Sequence, residues 1–337
     1  MEQRFERRWD RGPRIVAIGG GHGLSTLLRG LKTYTRNLTA IVTVADDGGG
    51  SGVLRNDLGM PPPGDIRNCM QALANTEPVM GQLLAYRFPE GSGRLTGQSF
   101  GNLILAALNG ITGSFEEAVS EMSHVLAISG RILPVTSADV KLEATFENGT
   151  AILGESKIAD FKKAQDCRIR SVRLLPERPA PVSAALAAIR EADLILLGPG
   201  SLYTSVIPNL LVDGVAQAIC DSDALRVYIG NIMTQDGETE GMTLSDHIDA
   251  LLSHAKPGLV DLCLANCSPV SQELLERYQE EGAEPIRVDK EKTEALGVEV
   301  VERPMLSTGT RYARHSPDRL SQVVMELYGE RAETKIF

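Results

Sequence analysis

The sequence predicts an α/β fold: a doubly wound, mostly parallel sheet of about six strands, carrying a small β-rich insertion. Three observations lead there. Short, wholly apolar runs such as Ile15–Gly19 and Ala40–Ala45 alternate with helical periodicities, the pattern of parallel strands covered on both faces. Polar or glycine-rich loops follow the carboxyl ends of four of these runs. From about 131 to 176 the pattern turns to strand-like alternation around Asn148-Gly149, a strong hairpin signal.

The first unit, Arg14 to Tyr34, organises the rest. After the strand Ile15–Gly19 come Gly20, Gly21, His22 and Gly23, then apolar residues at Leu24, Leu27, Leu28, Leu31 and Tyr34, one face of a helix. Strand, glycine turn and helix form half of a nucleotide-binding βαβ unit, because glycines let backbone approach a phosphate and the helix start favours its charge. Leu24 stands where the dinucleotide fingerprint has its third glycine, so a plain tight turn is the competing reading. The second strand, Ala40–Ala45, runs into DDGGGSG (Asp46–Gly52). Asp46, 23 residues beyond Gly23, suits a ribose contact, although aspartates also cap ordinary loops. Asp47, Ser51 and Gly52 belong to the same candidate loop.

In MPPPGDIRN, three prolines stiffen the approach to Gly64, and Asp65 reads as the cap of a helix with Arg67 and Asn68 in its first turn. Helical patterns dominate from Ile66 to Ile128, with Asn102 in the first turn of one that starts at Ser99. Beyond the insertion, a helix at Val182–Glu191 leads to the strand Ala192–Gly198. The turn Gly198-Pro199-Gly200-Ser201 after it is a second candidate anion cradle. Strands are expected at Leu225–Ile229, Leu259–Ala265 and Pro285–Val288, with Val298–Val301 as an edge. Helices are expected at Asn209–Asp221, Leu244–His254, Ser271–Glu281 and Asp318–Tyr328. The loop Gly230–Thr239, with Asn231, ends another strand. The division is therefore a tail at 1–13, a core at 14–130 and 177–330, and an insertion at 131–176.

Composition removes several classes. A net charge of −10 argues against a nucleic-acid binder, though not against a small anion held locally. The charged start lacks the apolar core of a secretory signal, and no segment has the length of a membrane span. Five unevenly spaced cysteines fit a reducing cytoplasm, and the Cys263–Cys267 pair reads as core. Neither a Walker loop nor a G-x-S-x-G elbow occurs, and the five histidines lack metal-ligand spacing. Asp46 and Asp47, together with a substrate phosphate, are candidates for holding Mg²⁺. The apolar helices between Ile66 and Ile128 exceed what one sheet covers, so a homo-oligomer is expected.

The phrases IGGGHGLSTLLRGLK, AIVTVADDGGGSGVLR, PPPGDIRNCMQALA, SFGNLILAAL, LLGPGSLYTSVIPNLLV and YIGNIMTQDGET resemble the bacterial gluconeogenesis-factor family. That family belongs to the group containing the archaeal 2-phospho-L-lactate transferase. The resemblance implies a Rossmann-like core and a nucleotide crevice formed by Gly19–Leu24, Asp46, Asp47, Ser51, Gly52, Asp65, Arg67, Asn68, Asn102, Gly198–Ser201 and Asn231. In the bacterial branch it further implies a uridine-diphosphate (UDP) sugar touched by Tyr278 and Arg314, and a cytoplasmic factor for growth and cell shape on gluconeogenic carbon sources. The transferase branch implies chemistry beside Asp46 and Asp47. Two departures stand out: His22 replaces a usual threonine, and Ser316-Pro317 replaces a usual Asp-Thr.

Overall fold

The computed structural model describes residues 12–307 and 311–334. The expected tail at 1–13 lies outside them apart from Gly12 and Pro13. Seven strands form one wholly parallel sheet: β1 (Ile15–Gly19), β2 (Leu38–Val42), β3 (Arg131–Pro134), β7 (Leu194–Leu197), β8 (Leu225–Ile229), β9 (Leu262–Asn266) and β10 (Glu299–Arg303). Their order is β10-β9-β8-β7-β1-β2-β3. The chain thus builds outwards from β1 to β3, returns to β7 beside β1, and builds outwards the other way. The strand order reverses between β1 and β7, which places the ligand crevice of such sheets at their carboxyl ends.

Apolar runs made these strands because both faces are covered. Every residue of β1, β2 and β7 is buried. Helices α1 (Gly21–Leu31), α2 (Gly49–Leu58), α3 (Gly64–Leu73), α4 (Pro78–Ala85), α5 (Phe100–Thr112) and α6 (Phe115–Val125) come before β3. Leu24, Leu27, Leu28 and Leu31 of α1 are all fully buried, the stripe its periodicity predicts.

The second sheet is small and antiparallel, in the order β5-β4-β6: β4 (Lys141–Phe146), β5 (Ala151–Leu153) and β6 (Ile169–Leu175), with α7 (Glu155–Gln165) between the last two. The β4–β5 turn forms at Asn148-Gly149. Gly149 takes φ +84°, and the Asn148 side chain accepts from the Thr150 amide at 3.0 Å. After β6 come α8 (Ser183–Glu191), α9 (Ile207–Leu210), α10 (Val215–Cys220), α11 (Leu244–His254), α12 (Gln272–Glu280), α13 (Lys290–Ala295) and α14 (Pro317–Thr334).

Some expectations need correction. Residues 131–134 belong to the main sheet, pairing with β2, so the separate small sheet starts at Lys141; the main sheet, expected at about six strands, has seven. Pro134 ends an edge strand, where its missing N–H costs no ladder bond. β2 lies one strand in from that edge rather than at the centre. Pro285–Val288 makes only one bridge, from Pro285 to Met233, and Glu299–Arg303 takes the sheet position instead. Cys263 is buried in β9, whereas Cys267 is exposed just past its end.

Candidate functional site

The loops after β1, β7 and β8 meet at the strand-order reversal and line one cleft of about 450 Å³. Its wall is Gly20–Gly23 and Thr26 from the first unit, Pro199–Ser201 and Ser205 after β7, and Asn231–Gln235 after β8. Tyr278 and Ala313–His315 close the far side.

Each glycine of the first loop has its own reason. A Cβ on Gly20 would stand 2.5 Å from Asp65 Oδ2 and 2.9 Å from Thr43 Cγ2, so no side chain fits. Gly21 takes φ +64°, a conformation that other residues adopt at a cost. At Gly23 a Cβ would lie 2.4 Å from the Pro199 carbonyl oxygen, because α1 seats directly on the turn after β7. Gly19 ends β1 and meets only ordinary contacts, and Leu24 is core. Neither lines the cleft. Nor does Gly198, which takes φ +78°.

Asp65 does cap a helix, but not its own. The cap position of α3 is Pro63, and the Asp65 carboxylate instead accepts from the Gly21 amide at the start of α1. The phosphate-type cradle therefore already holds one carboxylate. Burial, and then the charge of Asp46, push Asp65 up to about 6.

In the second loop the two aspartates part. Asp46 Oδ1 accepts from the Gly48 amide at 2.8 Å, and burial raises its pKa. Beside Gly64, a Cβ would meet Ser51 Oγ at 2.5 Å and Asp46 Oδ2 at 3.3 Å, so Asp46, Ser51 and Asp65 converge. Asp47 points towards the small sheet, where its Oδ1 accepts from the Ser156 amide in the first turn of α7 at 2.8 Å. Gly52 packs its α-carbon against the Asp47 carbonyl. The pair expected to hold Mg²⁺ is split; the neighbouring carboxylates are Asp46 and Asp65. Their hard oxygens suit a divalent ion, yet the described residues hold no group of three ligating side chains. Oxygens of a bound phosphate would have to complete such a site.

Arg67 lies across the start of α5, its Nε donating to Asn102 Oδ1 at 3.0 Å. No described carboxylate forms an ion pair with it, and burial lowers its pKa. Asn68 is half-buried, outside the cleft lining. In the third loop Asn231 clamps one residue from both sides: its Oδ1 accepts from the Gly200 amide at 3.2 Å and its Nδ2 donates to the Gly200 carbonyl at 2.8 Å. That amide is thus committed to the fold. Ser201 Oγ donates to Gln235 Oε1 at 2.7 Å.

Tyr278 and Arg314 reach the cleft from distant segments. An apolar cluster of Ile232, Met233, Leu306 and Ala313 supports them, with Leu274 and Tyr278 packed on it. The Tyr278 and Tyr312 rings stand edge to face at 6.5 Å, and the Arg314 guanidinium lies 5.1 Å from the Tyr312 ring centre. His22 lines the cleft between cations. Partial burial, then Arg314 and Arg67, lower its pKa and keep the ring neutral.

Sequence reasoning missed three residues. Glu155, at the start of α7, faces Asp46, Glu238, Asp47 and Asp65; burial first and these charges second push it up to about 8. Glu238 accepts from the Tyr203 and Thr204 amides at 2.5 and 3.0 Å and is pushed up to about 7 by burial. His315, on the cleft wall, is pushed down to about 4 by burial. The acidic phrase TQDGETE was the only visible signal for Glu238.

Residues 15–306 match the family described as 2-phospho-L-lactate transferase CofD. The chain is 46% identical over 318 residues to the gluconeogenesis factor of Bacillus subtilis, covering 94% of this chain and 99% of that one. A protein of Thermoanaerobacterium thermosulfurigenes that carries the same name provisionally is 54% identical over 316 residues, covering 94% and 97%. The solved structure of a Bacillus halodurans protein, 46% identical, superposes with a TM-score of 0.90 over 94% of this chain and 100% of that one. The chain therefore belongs to the gluconeogenesis-factor family, within the larger group of 2-phospho-L-lactate transferase-like proteins.

Proposed function

We propose that this chain binds a UDP-sugar in the cleft and acts, in the cytoplasm, as a regulatory factor for growth and cell shape on gluconeogenic carbon. The observation that carries the reading is the joining, in one cleft of about 450 Å³, of the α1 start with Tyr278 and Arg314. That volume lies within the ordinary range for small-molecule sites. The α1 start offers amides beyond Gly21 to a diphosphate. Arg314 offers a cation, and Tyr278 an aromatic edge for the nucleoside. The names of the relatives support the gluconeogenic role. Calorimetry with UDP-sugars tests the binding. Measurable affinity that falls in Arg314→Ala and Tyr278→Ala supports it, and absence of binding overturns it.

A second reading rests on a different observation. Asp46 and Asp65 stand beside the glycine loop with raised pKa values, where a phosphate and a divalent ion would meet. A transferase moving a nucleotide-activated phospho-acyl group would use them. Here the acceptor oxygen would attack the phosphorus and the nucleoside monophosphate would leave. Release of monophosphate with acceptor and Mg²⁺, stopped by Asp46→Asn, would favour that reading over the first.

A further inference from the structure

The five residues Leu202–Val206 make one π-helical turn between β7 and α9, in which the Val206 amide donates to the Ser201 carbonyl at 3.0 Å. Asn209, fully buried, ties this turn to the end of β1. Its Nδ2 donates to the Ser205 carbonyl at 2.8 Å and to the Gly19 carbonyl at 3.3 Å. Ser205 is thereby held where the glycine turns after β1 and β7 meet. A Cβ on Gly20 or Gly200 would stand 3.4 or 3.5 Å from Ser205 Cβ, and one on Gly21 would meet Ser205 Oγ at 3.8 Å.

Five residues with hydroxyls line the cleft: Thr26, Ser201, Ser205, Thr234 and Tyr278. Four are engaged. Thr26 Oγ1 donates to the His22 carbonyl at 2.8 Å, and Ser201 Oγ to Gln235 Oε1 at 2.7 Å. Thr234 Oγ1 accepts from the Glu284 amide at 2.9 Å, and the Tyr278 hydroxyl accepts from the Ala313 amide. The Ser205 hydroxyl alone has no partner among the described residues, so its donor is uncommitted. Backbone donors are scarce at the same point. The Gly21 amide serves Asp65, and the Gly200 amide serves Asn231. The loop GGGHG also lacks the lysine with which a Walker loop reaches a phosphate.

We propose that Ser205 selects the phosphate of the ligand: its Oγ donates to an oxygen of a diphosphate lying between the two glycine turns. The identity of the whole ligand rests on the nucleotide-sugar reading above; the phosphate contact rests on where Ser205 stands. Calorimetry of the full chain with UDP-glucose and with inorganic pyrophosphate, before and after Ser205→Ala, tests this. Both probes should bind the unaltered chain. Ser205→Ala should weaken both by on the order of ten- to a hundredfold, the range for a hydrogen bond to a charged acceptor. The unliganded variant should melt no lower than the unaltered chain, because the hydroxyl makes no bond within the described residues. A lower melting temperature would trace the lost affinity to the fold and overturn the proposal. So would unchanged affinity for both probes, or for pyrophosphate alone. Pyrophosphate binding that depends on Ser205, without any binding of UDP-glucose, would uphold the contact and end the nucleotide-sugar reading. Binding of neither probe would remove both.

Discussion

The cleft and the carboxylate group beside it share Gly20 but differ in kind. In the cleft, neutral His22, Arg314 and Tyr278 face open space, and few charges oppose an incoming anion. Next to it, Asp46, Asp65, Glu155 and Glu238 are held together by α3, α7 and the loop after β8, each with its pKa raised chiefly by burial. The first region is prepared for a ligand's negative charge. The second is costly unless protons or a cation neutralise it. On the proposed reading, binding and any chemistry separate in space, and substitutions in the two regions should have different signatures.

The largest expected effect lies where the regions meet. Gly20→Val should abolish nucleotide binding, because its side chain would collide with Asp65 and Thr43 and displace the start of α1. Calorimetry showing unchanged affinity would break the account of the loop. Arg314→Ala should come next, weakening binding by ~1.5–3 kcal/mol, the range for a hydrogen bond to a charged group. Titration with the same ligand measures it.

In the carboxylate group the signature is stability against pH. Folded Glu155 keeps its proton up to about 8, against an ordinary value of 4.5. Between these values the folded chain binds more protons than the unfolded one, so this group's contribution to stability falls as pH rises. The penalty is absent below 4.5 and complete above about 8. Glu155→Gln should therefore stabilise the chain by on the order of 1–3 kcal/mol above pH 8 and hardly at all at pH 4. Denaturant melts at the two pH values check the difference. Mg²⁺ should narrow it if an ion enters among these carboxylates. The smallest effect is expected at Asp47, which caps α7 rather than facing a ligand. Asp47→Ala should cost about 1 kcal/mol of stability and leave nucleotide affinity unchanged. Lost affinity in that variant would return Asp47 to the site.

The same contrast explains what the sequence revealed. Glycine loops at strand ends are local signals, and the cleft gathers Gly20–Gly23, Pro199–Ser201 and Asn231. Strand existence was equally legible, because runs such as Ile15–Gly19 have no polar side chain. Edges were less clear. Arg131–Pro134 is too short to announce its sheet, and Pro285–Val288 is mostly apolar without belonging to one. Side-chain direction was not legible at all. Adjacent Asp46 and Asp47 face different partners: Asp46 accepts from the Gly48 amide of its own loop, and Asp47 from the Ser156 amide of α7. Glu155 joins the group through packing of the small sheet, which no spacing encodes. Tyr278 and Arg314 came from the family resemblance, since 36 residues separate them and no periodicity links them.

The most direct test of the central claim, a nucleotide-sugar cleft, is a thermal-stability panel of uridine and guanosine diphosphates and their sugar conjugates, followed by chromatography of the nucleotide. A UDP-sugar is expected to stabilise the chain, by about 2.7 kcal/mol at a hundredfold excess over Kd, and to be recovered unchanged. Stabilisation by guanosine compounds alone, with turnover, or by no nucleotide at all, would contradict it.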